Sequence, residues 1–178
     1  VPTIKPWNME TIKEKLDLVK AADPFAIAMD IDGAGLPFLK NMTPPAGSKT
    51  VEELQQIVAW AEKPFILKGI MTVAGAQKAL EAGAKGIVVS NHGGRVLDQC
   101  PSSAEVLPAI ADAVGSKMTI LVDGGIRSGM DVFKALALGA DGVLIGRPFI
   151  NMIYGAGAEG VKVYLEKLKA ELEDTIAM

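Results

Sequence analysis

Apolar residues in this chain gather into five short runs rich in β-branched side chains: Ala26 to Ile31, Phe65 to Ile70, Gly86 to Ser90, Thr119 to Val122 and Gly142 to Ile145. Runs that are apolar on both faces fit parallel strands covered on two sides, not a half-solvated antiparallel sheet. The stretches between them carry helical periodicity. Thr72 and Ser128 stand where helices would begin, as N-caps, and Gly83 and Gly139 where they would stop. A last amphipathic helix is expected from Glu159 to Ala177, and the Pro- and Gly-rich stretch Asn41 to Ser48 reads as a loop. Strand and helix in alternation predict an α/β fold.

An internal repeat sharpens the architecture. Gly69-Ile70, Lys78-Ala79-Leu80, Gly83-Ala84 and Gly86 recur as Gly125-Ile126, Lys134-Ala135-Leu136, Gly139-Ala140 and Gly142, each 56 residues on. A repeat of that length holds two strand-helix units, and repeated units favour a barrel over an open doubly wound sheet. With a weak strand near Thr3 to Lys5, the chain offers about six strands in 178 residues. A closed (β/α)8 TIM barrel has eight strands in about 250 residues. The expectation is therefore an incomplete barrel. Residues 1–178 would form the C-terminal portion of a single domain, with the N-terminal strands missing, in keeping with a first residue that is Val1 and not Met.

Composition narrows the function classes. Nearly half of the residues are apolar (49%), enough for a sizeable core, and the net charge of −3 gives no field to draw in nucleic acid or an anionic membrane. The single cysteine, Cys100, has no internal disulfide partner, and no apolar run is long enough to span a bilayer. A cytoplasmic location is the default expectation. Any anion site must be local.

In a parallel barrel the chemistry sits where strands end. Here the runs are followed by Lys68, by Ser90-Asn91-His92-Gly93-Gly94-Arg95, by Asp123-Gly124-Gly125-Ile126-Arg127 and by Gly146-Arg147. Gly124, Gly125 and Gly146 let backbone N–H groups approach an anion, a helix starting near Ser128 would add its positive end, and Arg127 or Arg147 would add charge-assisted bonds. A phosphate fits this set. The bland alternative is that the glycines only make tight turns and the arginines are solvated; both glycine groups together with two arginines at neighbouring strand ends favour binding.

His92 is the one histidine of the chain. A lone histidine is more often a satisfied structural residue. Its place at a strand end, with two glycines after it and Arg95 three residues on to take an anionic substrate, favours a general base instead. Lys68 would stabilise developing negative charge. Asp30 and Asp32 interrupt an apolar run, where an unpartnered carboxylate is costly; either would hold an imidazolium or cap a turn.

From about Pro64 to Arg147 these motifs together resemble the family of FMN-dependent 2-hydroxy acid oxidases and dehydrogenases. The run from Ser90 to Arg95 followed by Leu97-Asp98 is the most specific element, and the Asp123 to Arg127 and Gly146-Arg147 groups stand at the family's usual separations. The resemblance implies FMN as cofactor and oxidation of a small 2-hydroxy acid, such as lactate or glycolate, to the 2-oxo acid. It makes His92 the active-site base, Asp32 the aspartate that pairs with it, and Arg95 the partner of the substrate carboxylate. Lys68, Ser90, Asp123, Gly124, Gly125, Ile126, Arg127, Gly146 and Arg147 fall at cofactor-binding positions: Lys68 by the pyrimidine edge of the flavin, Asp123 on the ribityl chain, and the glycines and Arg127 and Arg147 at the phosphate.

Departures cluster around Asp32. The family usually has Thr two residues earlier, where this chain has Asp30, and a Pro and an Arg-rich stretch afterwards, where this chain runs Gly33-Ala34-Gly35-Leu36-Pro37-Phe38-Leu39. A second carboxylate-binding arginine is therefore missing, which bears on the substrate more than on the cofactor. The family's substrate-binding tyrosines belong to its N-terminal strands. Two further readings stay open: another FMN- or phosphate-binding barrel enzyme of isomerase type, or a piece that is inactive or weakly active without its N-terminal strands and that associates, as a homo-oligomer or with those strands, through an open sheet edge.

Overall fold

A computed structural model of the chain describes residues 1–178, the side chains of Pro37 and Lys40 excepted. Six strands run in chain order: β1 (Thr3–Ile4), β2 (Ile27–Asp30), β3 (Phe65–Ile70), β4 (Gly86–Val89), β5 (Thr119–Asp123) and β6 (Gly142–Leu144). Every neighbouring pair is parallel, and the order along the sheet is the order along the chain. A doubly wound sheet reverses its strand order at a switch point, whereas this sheet never does; it is a segment of barrel wall. The intervening helices are α1 (Met9–Ala21), α2 (Pro37–Lys40), α3 (Val51–Ala61), α4 (Val73–Glu81), α5 (Ser103–Val114), α6 (Gly129–Ala137) and α7 (Arg147–Ala177), with 3₁₀ turns at Ile31–Gly35 and His92–Gly94.

Local chemistry sets the helix ends where the sequence places them. The Thr72 side chain accepts from the Gly75 N–H at 3.0 Å, and Ser128 forms a reciprocal capping box with Asp131. Gly83 and Gly139, just past α4 and α6, take left-handed backbones with φ of +88° and +103° that a side chain would resist. The helices cover the outer face of the sheet, and the core between the layers is made by Ile12, Leu16, Ile27, Ile57, Phe65, Leu67, Ile87, Leu107, Ile110 and Ile120, all fully or almost fully buried.

Two details depart from expectation, and a third adds to it. The second strand ends at Asp30 and not at Ile31, so Asp32 sits in a 3₁₀ turn above the sheet end. The last helical unit starts at Arg147, earlier than Glu159, and breaks at Ala156 and Gly157, where Gly157 takes φ of +59°. The third strand carries a register shift between Lys68 and Ile70, centred on Gly69. The sheet is also covered unevenly. All four residues of β2 and of β4 are buried, whereas β6 is half exposed, and beside it Ile150, Ile153 and Tyr154 stand in solvent, Tyr154 at 90%.

Candidate functional site

The C-terminal ends of β3 to β6 open onto one cavity of about 510 Å³, within the range of small-ligand sites. Lys68, His92, Gly93, Arg95, Asp123, Gly124, Gly125, Ile126, Arg127, Gly146 and Arg147 all line it. Two expected residues, Asp32 and Ser90, are not on its wall. They lie behind it.

Ser90 is fully buried; its hydroxyl accepts from Lys68 Nζ at 3.1 Å and from the His92 backbone N–H at 3.1 Å, so it ties the lysine side chain to the histidine turn and is not itself displayed to the cavity. Asp32 approaches His92 Nδ1 with Oδ2 at 3.1 Å and Oδ1 at 3.3 Å. Its carboxyl fits against β3 because Gly69 has no side chain: a Cβ there would stand 2.5 Å from the Asp32 Cγ. Asp30 is the hub of the floor. Lys5 pairs with its Oδ2, Lys68 Nζ lies 3.4 Å from its Oδ1, and His92 Nδ1 lies 3.6 Å from the same oxygen. Lys68 reaches on to Asp123 Oδ2 at 3.6 Å.

The two carboxyls titrate in opposite directions. For Asp30, burial is the largest single effect and opposes ionisation, but the hydrogen bond from Lys5 and the charge of Lys68 outweigh it and hold the carboxyl below its usual value. Asp32 is pushed above its usual value, first by burial and then by the hydrogen bond and negative charge of Asp30, against a weaker pull from Lys68 and His92.

His92 itself has φ of +58°, left-handed backbone uncommon for a residue with a Cβ, and Gly93 and Gly94 continue at +68° and +76°. The turn is held from both sides. Asn91 Oδ1 accepts from the N–H groups of Gly93 and Gly94 at 3.1 and 3.3 Å, and Arg95 Nε donates to the His92 carbonyl at 3.2 Å. A Cβ at Gly93 would lie 2.8 Å from an Arg147 Nη, so that glycine admits the guanidinium over the turn. Among the described residues only Nδ1 of the ring has a partner. Nε2 has none.

The far end of the cavity is built differently. Ser103 Oγ donates to the Asp123 carbonyl, and a Cβ on Gly124 would crowd that hydroxyl at 3.0 Å. Around Gly125 and Gly146 there is open space: a Cβ would meet nothing within 4 Å. The N–H groups of Gly124, Gly125 and Gly146 find no acceptor among the described residues, and none of Arg95, Arg127 and Arg147 forms an ion pair there. Asp123 Oδ1 is buried without a hydrogen-bond partner. The expected contribution of the helix after Ser128 is corrected: its first donors are taken, those of Arg127 and Ser128 by Asp131 Oδ2 and that of Gly129 by Glu171 at 2.8 Å.

Sequence reasoning brought His92, Asp32, Arg95, Lys68 and both glycine groups to one place, and it missed Lys5, Gly69 and Ser103. Lys5 carried no motif. Gly69 was legible only as the counterpart of Gly125 in the repeat.

Among the described residues no helix is long and apolar enough to cross a membrane. Residues 9–178 match the family model of the FMN-dependent dehydrogenases. Over 130 residues the chain is 49% identical to a peroxisomal (S)-2-hydroxyacid oxidase of Arabidopsis thaliana, an alignment that takes in 73% of this chain and 35% of that protein. Over 129 residues it is 46% identical to an L-lactate oxidase of Roseobacter, again with 35% of the relative covered. Thus it spans about a third of the length of these relatives. The lactate oxidase structure from Pediococcus acidilactici superposes with a TM-score of 0.89 at 35% identity, over 98% of this chain and 55% of that one. A mandelate oxidase variant with (S)-mandelic acid gives 0.87 at 36% identity, over 98% and 57%. Motifs, fold and relatives agree: the chain belongs to the FMN-dependent dehydrogenase family, and its cofactor is FMN.

Proposed function

We propose that this chain supplies the base, the carboxylate-binding arginine and the phosphate cradle of an enzyme that oxidises a small 2-hydroxy acid to the 2-oxo acid. The carrying observation is the Asp32 contact to His92 Nδ1 at 3.1 Å, which holds the ring by one nitrogen while His92 lines the cavity. The residues fit the cofactor: the unpartnered Asp123 Oδ1 calls for a hydroxyl donor such as a ribityl chain offers, and the free N–H groups and unpaired arginines call for a phosphate. FMN, when bound, supplies the acceptor for two electrons. Arg95 orients the substrate carboxylate, His92 takes a proton from the 2-hydroxy acid, and Asp32 and Asp30 stabilise the imidazolium that results. Lys68 supplies positive charge where the cofactor gains negative charge.

The chain alone is proposed to be inactive or weakly active, because β1 and β6 leave two open sheet edges and an uncovered apolar rim. Those edges would pair with another copy or with further strands. The test is anaerobic bleaching of the flavin in the full-length polypeptide by lactate, glycolate and mandelate. His92→Ala is expected to slow bleaching by about a hundredfold to ten-thousandfold while FMN stays bound. Arg95→Lys is expected chiefly to raise the substrate concentration needed, since an ammonium cannot reproduce the bidentate fork. Unchanged bleaching in His92→Ala removes the histidine from the mechanism.

A further inference from the structure

We propose that Lys5 is a positioning residue for the base: by pairing with Asp30 it keeps a second carboxylate, besides Asp32, ionised and directed at His92 Nδ1. This rests on the reading of His92 as the base.

The charges around the imidazole come from five elements. Lys5 follows β1, Asp30 ends β2, Asp32 lies in the 3₁₀ turn after it, Lys68 is in β3 and Asp123 ends β5. Asp30 and Asp32 both face Nδ1, at 3.6 and 3.1 Å. Two carboxylates this close to one another would ordinarily share a proton, and the more buried one would be expected to keep it. That one is Asp30, whose side chain is 5% exposed against 11% for Asp32. The cations reverse the order. Lys68 is divided between Asp30, Ser90 and Asp123, and its charge is also read as serving the cofactor. Lys5 has Asp30 as its one ion-pair partner among the described residues, so it is the cation dedicated to that carboxylate.

The opposed titration of the two carboxyls agrees with this division. Without Lys5 the pair would hold its first proton to higher pH, and the imidazolium formed in the reaction would face one counter-charge where it now faces two. Lys5 and Asp30 thus act as one unit, and Asp30 stands where the family usually has a neutral threonine.

The experiment uses the full-length FMN-loaded protein with carboxyl-13C aspartate, in the parent and in Lys5→Met, Lys5→Arg and Asp30→Asn forms. The resonance lost in Asp30→Asn identifies Asp30. In Lys5→Met its titration is expected to move up by about one to three units, and Lys5→Arg is expected to restore it. The acid limb of flavin bleaching is expected to move up with it, while the rate on the alkaline plateau is kept. A merely structural lysine would lower the rate at every pH and leave the carboxyl titration in place; either result overturns the proposal. If no 2-hydroxy acid bleaches the flavin in any form while the carboxyl titration moves as expected, the functional reading fails and the Lys5–Asp30 unit stands. If bleaching is normal and Lys5→Met changes neither measurement, the positioning role alone fails.

Discussion

The floor of the cavity and its far end carry charge in opposite ways. On the floor, Lys5, Lys68, Asp30, Asp32 and His92 satisfy one another through the ends of neighbouring strands. At the far end Arg127 and Arg147 have no ion-pair partner, and the backbone donors of Gly124, Gly125 and Gly146 no acceptor, among the described residues. A closed network sets the protonation state of a residue and holds it; an open one waits for an anion. On the proposed reading, the difference separates proton handling and cofactor retention into two sets of residues that can be perturbed one at a time.

The largest effect is expected from paired glycine substitutions. Gly69 and Gly125 both have positive φ, +103° and +80°, so an alanine at either strains the backbone by roughly 1–3 kcal/mol. At Gly69 the added Cβ also collides with the Asp32 carboxyl, whereas at Gly125 it meets nothing. Gly69→Ala should therefore unfold at the lower urea concentration and bleach slowly, and Gly125→Ala should be the more stable of the two but hold FMN weakly. Equal stability of the two variants would show that Asp32 is not wedged against β3.

A middle-sized effect belongs to the arginines. A hydrogen bond to a charged group is worth about 1.5–3 kcal/mol, so Arg127→Ala or Arg147→Ala should weaken FMN binding by roughly tenfold to a hundredfold in equilibrium dialysis. The pH profile of bleaching in the FMN-saturated variant should keep its shape, because neither arginine touches the floor network. A displaced profile would mean that the two regions are coupled, with the Arg147 guanidinium over Gly93 as the route.

The smallest effect is a pH dependence of opposite sign in the two regions. The Asp131 carboxyl, which caps α6, is below its usual value because the backbone donors of Arg127 and Ser128 and the Ser128 hydroxyl outweigh its burial. Its contribution to stability is present above the unfolded value of about 3.9 and is lost as the pH falls through the lower folded value. Asp32 is raised, so its contribution is present below about 3.9 and is lost as the pH rises through the higher folded value. Urea unfolding should then show Asp131→Asn losing most relative to the parent at neutral pH and least in acid, and Asp32→Asn the reverse. Parallel trends in the two variants would erase the distinction.

The sequence exposes the far end more fully than the floor. Gly124-Gly125 and Gly146-Arg147 act through local backbone, so a short motif states them, and five of the six strands follow from apolar runs of four to six residues. The floor depends on pairs made across the fold. Lys5 and Asp30 are 25 residues apart, and Asp32 and His92 are 60 apart, so only strand order and register bring them together. The pairing of Asp32 with His92 came from family resemblance. Lys5 had no such help, because it follows a two-residue strand and has Pro6 as its neighbour. The motif puts Ser90 among the cofactor-binding positions; its burial depends on how β4 sits between β3 and β5.

Gly69 and Gly125 also record how such a site could be inherited. They occupy equivalent places in two units 56 residues apart, Gly69 near the end of β3 and Gly125 just past β5, each shortly before a capped helix, at Thr72 and at Ser128. One unit uses the missing side chain to admit a carboxylate from its own chain, the other to leave room for a ligand. If both descend from one ancestral unit, the glycine is older than at least one of its present uses, and the strand-end kink was the shared inheritance. The acid-base apparatus and the cofactor cradle would then be divergent copies of a single loop.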